Sequence, residues 1–403
     1  MTLVRFLLVR LVTGVLGLLV FASATWLLSV WLIPGDFTSN FGGGINAEQR
    51  EAIEVALGLD RPLLEQYLAF IGGLLRLDLG NTFGVSFTAT GTVVETGTPV
   101  TDLLLGVLPW TVTLFALAIG LGLLIGLPLG RRVGWQNRPV SPTLMAAAAA
   151  TSVFPPWMAL VVANIGFTLV GVTVYDRLRN LDEVMWDTPP APVNVLWWVI
   201  AGLVLFGIGS VWLARTVRLG RHRWLRWLGP PLLFALVVIA WWQSGLIPRI
   251  IDVIGLLSIP LFALTLTTAG EVILVVAAAM TGTADAPYSH AARAKGLSPG
   301  MIRRRHAGRA TLLPAISRMA ASLPYALGGL VIVERAFASV GARSVDIPGL
   351  SSTIFLSGFQ QRNTPLAVGG VVAIGVIALI VRLIVDVVHL ALDPRVTAEA
   401  SGA

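Results

Sequence analysis

Cysteine is absent from the 403 residues, lysine occurs once, at Lys295, and histidine four times, at positions 222, 290, 306 and 389. The missing thiols exclude disulfides, thiolate zinc sites and cysteine nucleophiles, and leave the redox compartment undetermined. The histidines have no metal-ligand spacing and there is no His-Glu-x-x-His, so no metal site and no zinc hydrolase is expected. No Gly-x-x-x-x-Gly-Lys-Ser/Thr sequence occurs either; the lone lysine is followed by Gly296, and the chain has no phosphate-binding loop of its own. Charge is scarce as well, at 12% of residues, where a soluble domain carries about 25%.

Apolar residues fill the space that charge leaves. They make up 56% of the chain, and the mean hydropathy is +0.83, which defines a polytopic membrane protein. Apolar runs of roughly twenty residues, the length that crosses about 30 Å of hydrocarbon, predict eight spans. They fall at about 6–33, 108–130, 143–171, 195–214, 228–247, 250–279, 318–338 and 365–391. The first run contains Ala22-Ser23-Ala24 but continues apolar to Ile33, so it reads as an uncleaved anchor.

The net charge of +7 comes from arginines in short loops beside spans. There they act as topology anchors, and no nucleic-acid partner is expected. With Arg5 and Arg10 inside, every arginine-rich loop falls on the same side: Arg131 to Arg138, Arg215 to Arg226, the 281–320 loop, and Arg395. Both termini are therefore expected in the cytoplasm. Residues 34–107, the acidic stretch around Asp182, Glu183 and Asp187, and residues 339–364 fall outside. Within the external segment, Asn46 with Gln49 predicts a helix start, Gly58 a stop, and Asp60 before Pro62 a second start. The second helix places Leu63, Leu64, Tyr67, Leu68, Ile71, Leu74 and Leu75 on one apolar face, lying along the membrane surface or against the bundle. Residues 81–98, rich in Thr and Gly, read as a flexible or partly extended loop.

The most informative stretch is the basic loop Thr281 to Ala320. It contains Tyr288-Ser289-His290-Ala291-Ala292-Arg293-Ala294-Lys295-Gly296-Leu297-Ser298, then Arg303-Arg304-Arg305-His306, then Leu313-Pro314. Ala291 and Ala292 are small residues on an expected short helix, suited to close docking in a partner's groove. Gly296 is placed to end that helix in a left-handed conformation. This pattern resembles the coupling loop of ABC-importer permease subunits, specifically the first permease of the dipeptide, oligopeptide and nickel systems. Other motifs of that family follow in order: Pro34-Gly35-Asp36, Gly58-Leu59-Asp60-Arg61-Pro62, Asp78-Leu79-Gly80, Leu108-Pro109 with Thr111, Val333-Glu334 with Phe337, Ile347-Pro348-Gly349-Leu350, and Leu392-Asp393-Pro394-Arg395.

The resemblance implies an all-α polytopic membrane protein with a type I ABC-importer-like transmembrane domain. The expected organisation is an anchor span (1–36), an external segment (37–107), two spans with their loop (108–194), an inserted two-span hairpin (195–247), the core spans carrying the coupling loop (248–391) and a short tail (392–403). It implies a subunit that is not itself an enzyme and forms half of a translocation pathway in a bacterial or archaeal plasma membrane, with peptide import as the leading reading. Its partners would be a second permease subunit, two ATP-binding subunits, an external substrate-binding protein and membrane lipid. This chain would bind no cofactor; ATP and Mg would sit on the partners.

By the same resemblance, contact with the ATPase falls to Tyr288, His290, Ala291, Ala292, Arg293, Lys295, Gly296, Leu297, Arg305 and His306. His290 stands where many relatives have Glu, and Gly308-Arg309 replaces the usual Leu-Pro. Asn164, Glu271 and Glu334 are polar candidates for the pathway or the interface between permeases. Arg382 and Asp386, one turn apart, are expected to pair. The rival class is a secondary transporter without an ATPase, which would show internal repeats and midplane ion sites. No convincing repeat is present, and the loop would then be unexplained.

Overall fold

The computed structural model describes residues 3–32, 35–42, 44–88, 91–135, 142–152, 192–216, 225–284, 286–308, 311, 328–334 and 349–392. Helix α1 (Leu3–Leu32) opens the chain. Its hydroxyls bond back to its own carbonyls, Thr13 to Val9, Ser23 to Leu19, Thr25 to Phe21 and Ser29 to Trp26. Polar groups that satisfy themselves in this way can sit in hydrocarbon.

A cap follows. Helix α2 (Ala47–Leu57) begins at a reciprocal capping box between Asn46 and Gln49 and ends at Gly58 with φ +70°. Helix α3 (Leu63–Leu75) starts after Pro62, not Asp60, and has no side-chain cap. It seats Tyr67, Phe70 and Leu74 against α1 and leaves Leu63, Leu64, Leu68 and Leu75 exposed. Residues 81–88 and 91–99 pair as antiparallel strands, β1 (Asn81–Thr88) with β2 (Gly91–Pro99), where a flexible or partly extended loop is expected from composition. The β-branched and aromatic residues among the glycines favour strands once each strand has the other to pair with.

Helix α4 (Val100–Trp135) is a single rod of 36 residues through Pro109 and Pro128. It is longer at both ends than the apolar run 108–130, because hydropathy marks only the part in lipid. Helices α5 (Pro142–Ser152), α6 (Pro192–Thr216), α7 (Leu225–Gln243) and α8 (Ile247–Ala284) follow. Helix α9 (Pro287–Ala294), a helical segment at 328–334 and α10 (Thr364–Leu392) complete the described helices used below.

Among the described residues, five helices are long and apolar enough to cross a membrane: 8–31, 100–135, 193–210, 260–283 and 364–387. Helix α7 and residues 247–255 meet at 102°, so α7 and the start of α8 do not form one straight span. Most of the expected spans at 143–171 and 318–338 lies outside the described residues.

The seam between α4 and α8 organises the bundle. Gly122, Gly126, Gly130 and Gly134 recur every fourth residue along one stripe of α4. A Cβ at these positions would lie 2.6, 2.6, 2.8 and 2.3 Å from atoms of Thr268, Val272, Val276 and Ala277. The two backbones meet because nothing stands between them, as small-residue seams allow in membranes. Helix α6 lies against this pair through Val195, Leu196 and Val199, which pack with Trp110 and Val253. Much of α7 faces outward, with Leu232, Phe234, Leu236 and Trp242 exposed.

Helices α1 and α10 run antiparallel. Arg10 Nε lies 3.6 Å from Asp386 Oδ2 at one end, and Trp26 packs with Val368 at the other. Asp386 thus pairs with α1, not with Arg382 on its own helix. The start of α1 and the end of α10 share one face of the bundle, and the cap occupies the opposite face.

Candidate functional site

Helix α9 is delimited by local chemistry. Pro287 occupies its first turn, where a missing N–H costs nothing. At the other end the Gly296 amide donates to Arg293 O at 2.9 Å and the Leu297 amide to Ala292 O at 3.2 Å, the paired bonds of a Schellman cap. Gly296 adopts φ +75°, and no atom lies within 4 Å of where its Cβ would be. Backbone conformation, not space, requires the glycine.

The inner face of α9 rests on its own chain. Ser289 is fully buried and its hydroxyl donates to Thr283 O at 2.7 Å. Ala292 is buried beside it. The Arg293 guanidinium lies 5.8 Å from the Trp135 ring centroid at the end of α4, within range of a cation–π contact. Tyr288, His290, Ala291 and Lys295 are exposed. The two adjacent alanines, about 100° apart around the helix, therefore differ: Ala292 seats the helix, and Ala291 is the small residue available to a partner.

After Leu297, the Ser298 side chain caps a short turn, Pro299–Met301, that runs into a wide helical turn, Ile302–Ala307. Ile302 and Ala307 are fully buried, and Ala307 packs against Val272, Val276 and Met280 of α8. A Cβ at Gly308 would lie 2.6 Å from Arg303 O, which accounts for glycine at this departure from the family pattern. Arg305 and His306 fall in the 302–307 turn, and their side chains lie outside the described residues.

Glu334 lies far from the loop and is buried inside the chain. Thr111 Oγ1 donates to Glu334 Oε1 at 2.6 Å, and the Ser351 amide and hydroxyl donate to Oε2 at 3.1 and 2.8 Å. The Leu350 amide donates to Thr111 Oγ1 at 3.1 Å. One carboxyl thus joins α4, the 328–334 segment and the turn at 349–351. Gly349 permits the approach, since a Cβ there would lie 2.6 Å from the Glu334 carboxyl carbon. Glu271 is half-buried on α8, beside the close contact of Gly270 with Thr151 of α5. Asn164 lies outside the described residues, and the structure does not bring Glu271 and Glu334 together.

On the cap face, the Asp36 carboxylate accepts from the Thr38 hydroxyl at 2.6 Å and from the Ser39 amide and hydroxyl at 3.2 and 3.0 Å. Burial pushes the Asp36 pKa up, but these donors outweigh it and hold it below the ordinary aspartate value. Arg362 Nη1 donates to Asn40 Oδ1 at 2.9 Å, and the Asn363 amide exchanges two hydrogen bonds with the Phe83 backbone. The start of α10 is thereby tied to both the Asp36 turn and the hairpin.

Trp135, Ser351 and the glycine stripe do not emerge from motif and charge reading, whereas Thr111 stood among the family motifs without a role. The stripe's Gly-x-x-x-Gly repeat was legible in the sequence; Trp135 carried no signal until α9 was placed beside it.

These features define a multi-pass helical membrane protein with a short, solvent-facing helix fixed beneath its closest helix pair. The family model described as "Binding-protein-dependent transport system inner membrane component" matches residues 118–398, and its N-terminal companion matches residues 3–115. The chain belongs to this family and is an ABC inner-membrane permease. It is 24% identical over 373 residues to the dipeptide transport system permease protein DppB of Escherichia coli K12, covering 91% of each chain. To the oligopeptide transport system permease protein AppB of Bacillus subtilis it is 25% identical over 364 residues, covering 90% of each.

Proposed function

We propose that this permease imports peptides, forming half of a pathway that alternates between inward-open and outward-open states. The names of the relatives support the peptide reading. The pathway is completed by a second permease subunit, two ATP-binding subunits drive it, and an external binding protein delivers cargo to the cap face. Both termini and the 285–310 loop face the cytoplasm, and the loop is where ATP-driven motion enters the chain.

The outward face of α9 carries this reading. Tyr288, Ala291 and Lys295 fall three and four residues apart and so line one side of a helix, and all three are exposed among the described residues. Ser289, Ala292 and Arg293 fasten the helix on the side toward its own chain. A helix held this way passes displacement to the ends of α4 and α8. Charge on Lys295 and Arg293 orients the docking more than it adds affinity.

Replacing Gly296 with valine puts a β-branched residue at φ +75°, where even an ordinary side chain costs about 1–2 kcal/mol. In vesicles holding the assembled transporter, the variant is expected to insert and assemble while ATP hydrolysis proceeds without transport. Normal transport per ATP would refute the coupling assignment. Purification in mild detergent should recover a second permease and an ATPase in stoichiometric amounts; recovery of the chain alone would favour a secondary transporter.

A further inference from the structure

We propose that the groove between α1, α10 and the 328–334 segment is a binding site for an anionic phospholipid of the cytoplasmic leaflet. The leaflet assignment rests on the orientation proposed above. The cavity measures about 890 Å³ and is walled by Gly14, Gly17, Leu18, Phe21, Ala378 and Leu379 along its length. Arg10, Arg382 and Asp386 stand together at its lip. An apolar trough opening on charged groups is the shape of an acyl chain leading to a headgroup.

Charge selects the occupant. The lip holds two arginines against one carboxylate, and that carboxylate is engaged with Arg10 at 3.6 Å. Arg382 is exposed, with no ion-pair partner among the described residues. It lies five residues before the end of the apolar span 364–387, or about 7.5 Å of helix, from which a long basic side chain snorkels to the headgroup level. A guanidinium at that depth in a membrane needs an anion or water. Residues 312–327, which precede the 328–334 wall in sequence, carry Arg318 as their one charged side chain, so that stretch has no acid to offer. The anion the bilayer itself supplies at this level is a lipid phosphate, and basic pockets between helices on the cytoplasmic side recruit such headgroups. Gly14 and Gly375 let the two helices approach, since a Cβ there would lie 2.2 Å from Leu379 and 2.5 Å from Leu18, and Gly17 faces open space on the trough wall.

The test uses the full chain, with whatever subunits accompany it, in nanodiscs of equimolar phosphatidylglycerol and phosphatidylethanolamine, read by native mass spectrometry. Wild type is expected to retain phosphatidylglycerol preferentially. R382Q should cut that retention about fivefold, the effect of one basic contact at a membrane surface, and R382K should keep it. D386N should raise it, because it removes the competing carboxylate; a purely structural role for these residues predicts no gain. Should R382Q fail to fold, the retention kept by R382K and the gain in D386N still decide, and no gain in D386N would count against the site. Equal retention of both lipids by wild type would overturn the site.

Because the chain has no cysteine, L383C can carry a single benzophenone into the groove. Adducts with lipid support the proposal, and adducts with polypeptide, whether the second permease or another part of this chain, refute it. Lipid retention is measured without ATP or peptide, so its failure is distinguishable from failure of the transport reading.

Discussion

Arg293 and Trp135 form a direct side-chain link between the exposed loop helix and α4, with the guanidinium 5.8 Å from the ring centroid. A partly exposed contact of this kind is worth about 0.5–1 kcal/mol, too little to hold the protein together and enough to bias the position of a short helix. W135A is accordingly expected to leave assembly and basal ATP hydrolysis intact and lower peptide transported per ATP a few-fold. W135F should be milder. The check is the ratio of the two rates in the same vesicles; an unchanged ratio would leave the pair no part in coupling.

The α4–α8 seam should resist any added volume. G126L must displace Val272, whose Cβ already lies 2.6 Å from where a Cβ would be, and overpacking of this kind costs about 1–3 kcal/mol or more. The expected result is a lowered unfolding temperature in detergent, with G120L, where nothing lies within 4 Å, close to wild type.

Glu334 accepts three hydrogen bonds while buried. Glutamine keeps one oxygen but presents an amide where an acceptor was, so E334Q leaves a Thr111 or Ser351 donor unsatisfied at about 1–3 kcal/mol. Hydrogen exchange at the Leu350 and Ser351 amides should speed up in E334Q and more so in E334A. Protection equal to wild type would show that the node is not held by the carboxyl.

The Asp36 turn gives a pH dependence with a definite sign. Its folded pKa is depressed, so its contribution is fully present above the unfolded value of about 3.9 and is lost as pH falls through the folded value. Exchange protection at the Ser39 amide should hold from neutral pH down to about 4 and fall below it. T38A should move that fall to higher pH, because it removes a 2.6 Å donor.

Features set by a few neighbouring residues could be read from the sequence. The Asn46–Gln49 cap, the Gly58 stop and the Gly296 terminator follow from side chain and backbone within one turn, and most described spans follow from twenty-residue averages. Features set by other elements could not. Asp386 has an arginine one turn away on its own helix, yet the structure pairs it with Arg10 from the far end of the chain. Residues 81–88 and 91–99 form strands because each supplies the other's hydrogen-bond partners, which composition does not record. Ala291 and Ala292 look equivalent in sequence, and their different burial depends on where Thr283 and Trp135 lie. Averaging over hydropathy also hid the glycine stripe, since glycine is neither apolar nor charged enough to register.

Helix α4 carries Trp135 near one mouth of the bundle and Thr111 near the other, separated by 24 residues, or about 36 Å of rise. One residue touches the loop helix, and the other both donates to Glu334 and accepts from Leu350. The helix is therefore a crossbar bolted at each end, and its two ends tilt in concert unless it flexes between them. Pro128 is the single proline inside that interval, a position with no N–H to donate to the ladder. Stiffening that joint with alanine, or loosening it further, would adjust how faithfully a tug at one mouth is felt at the other.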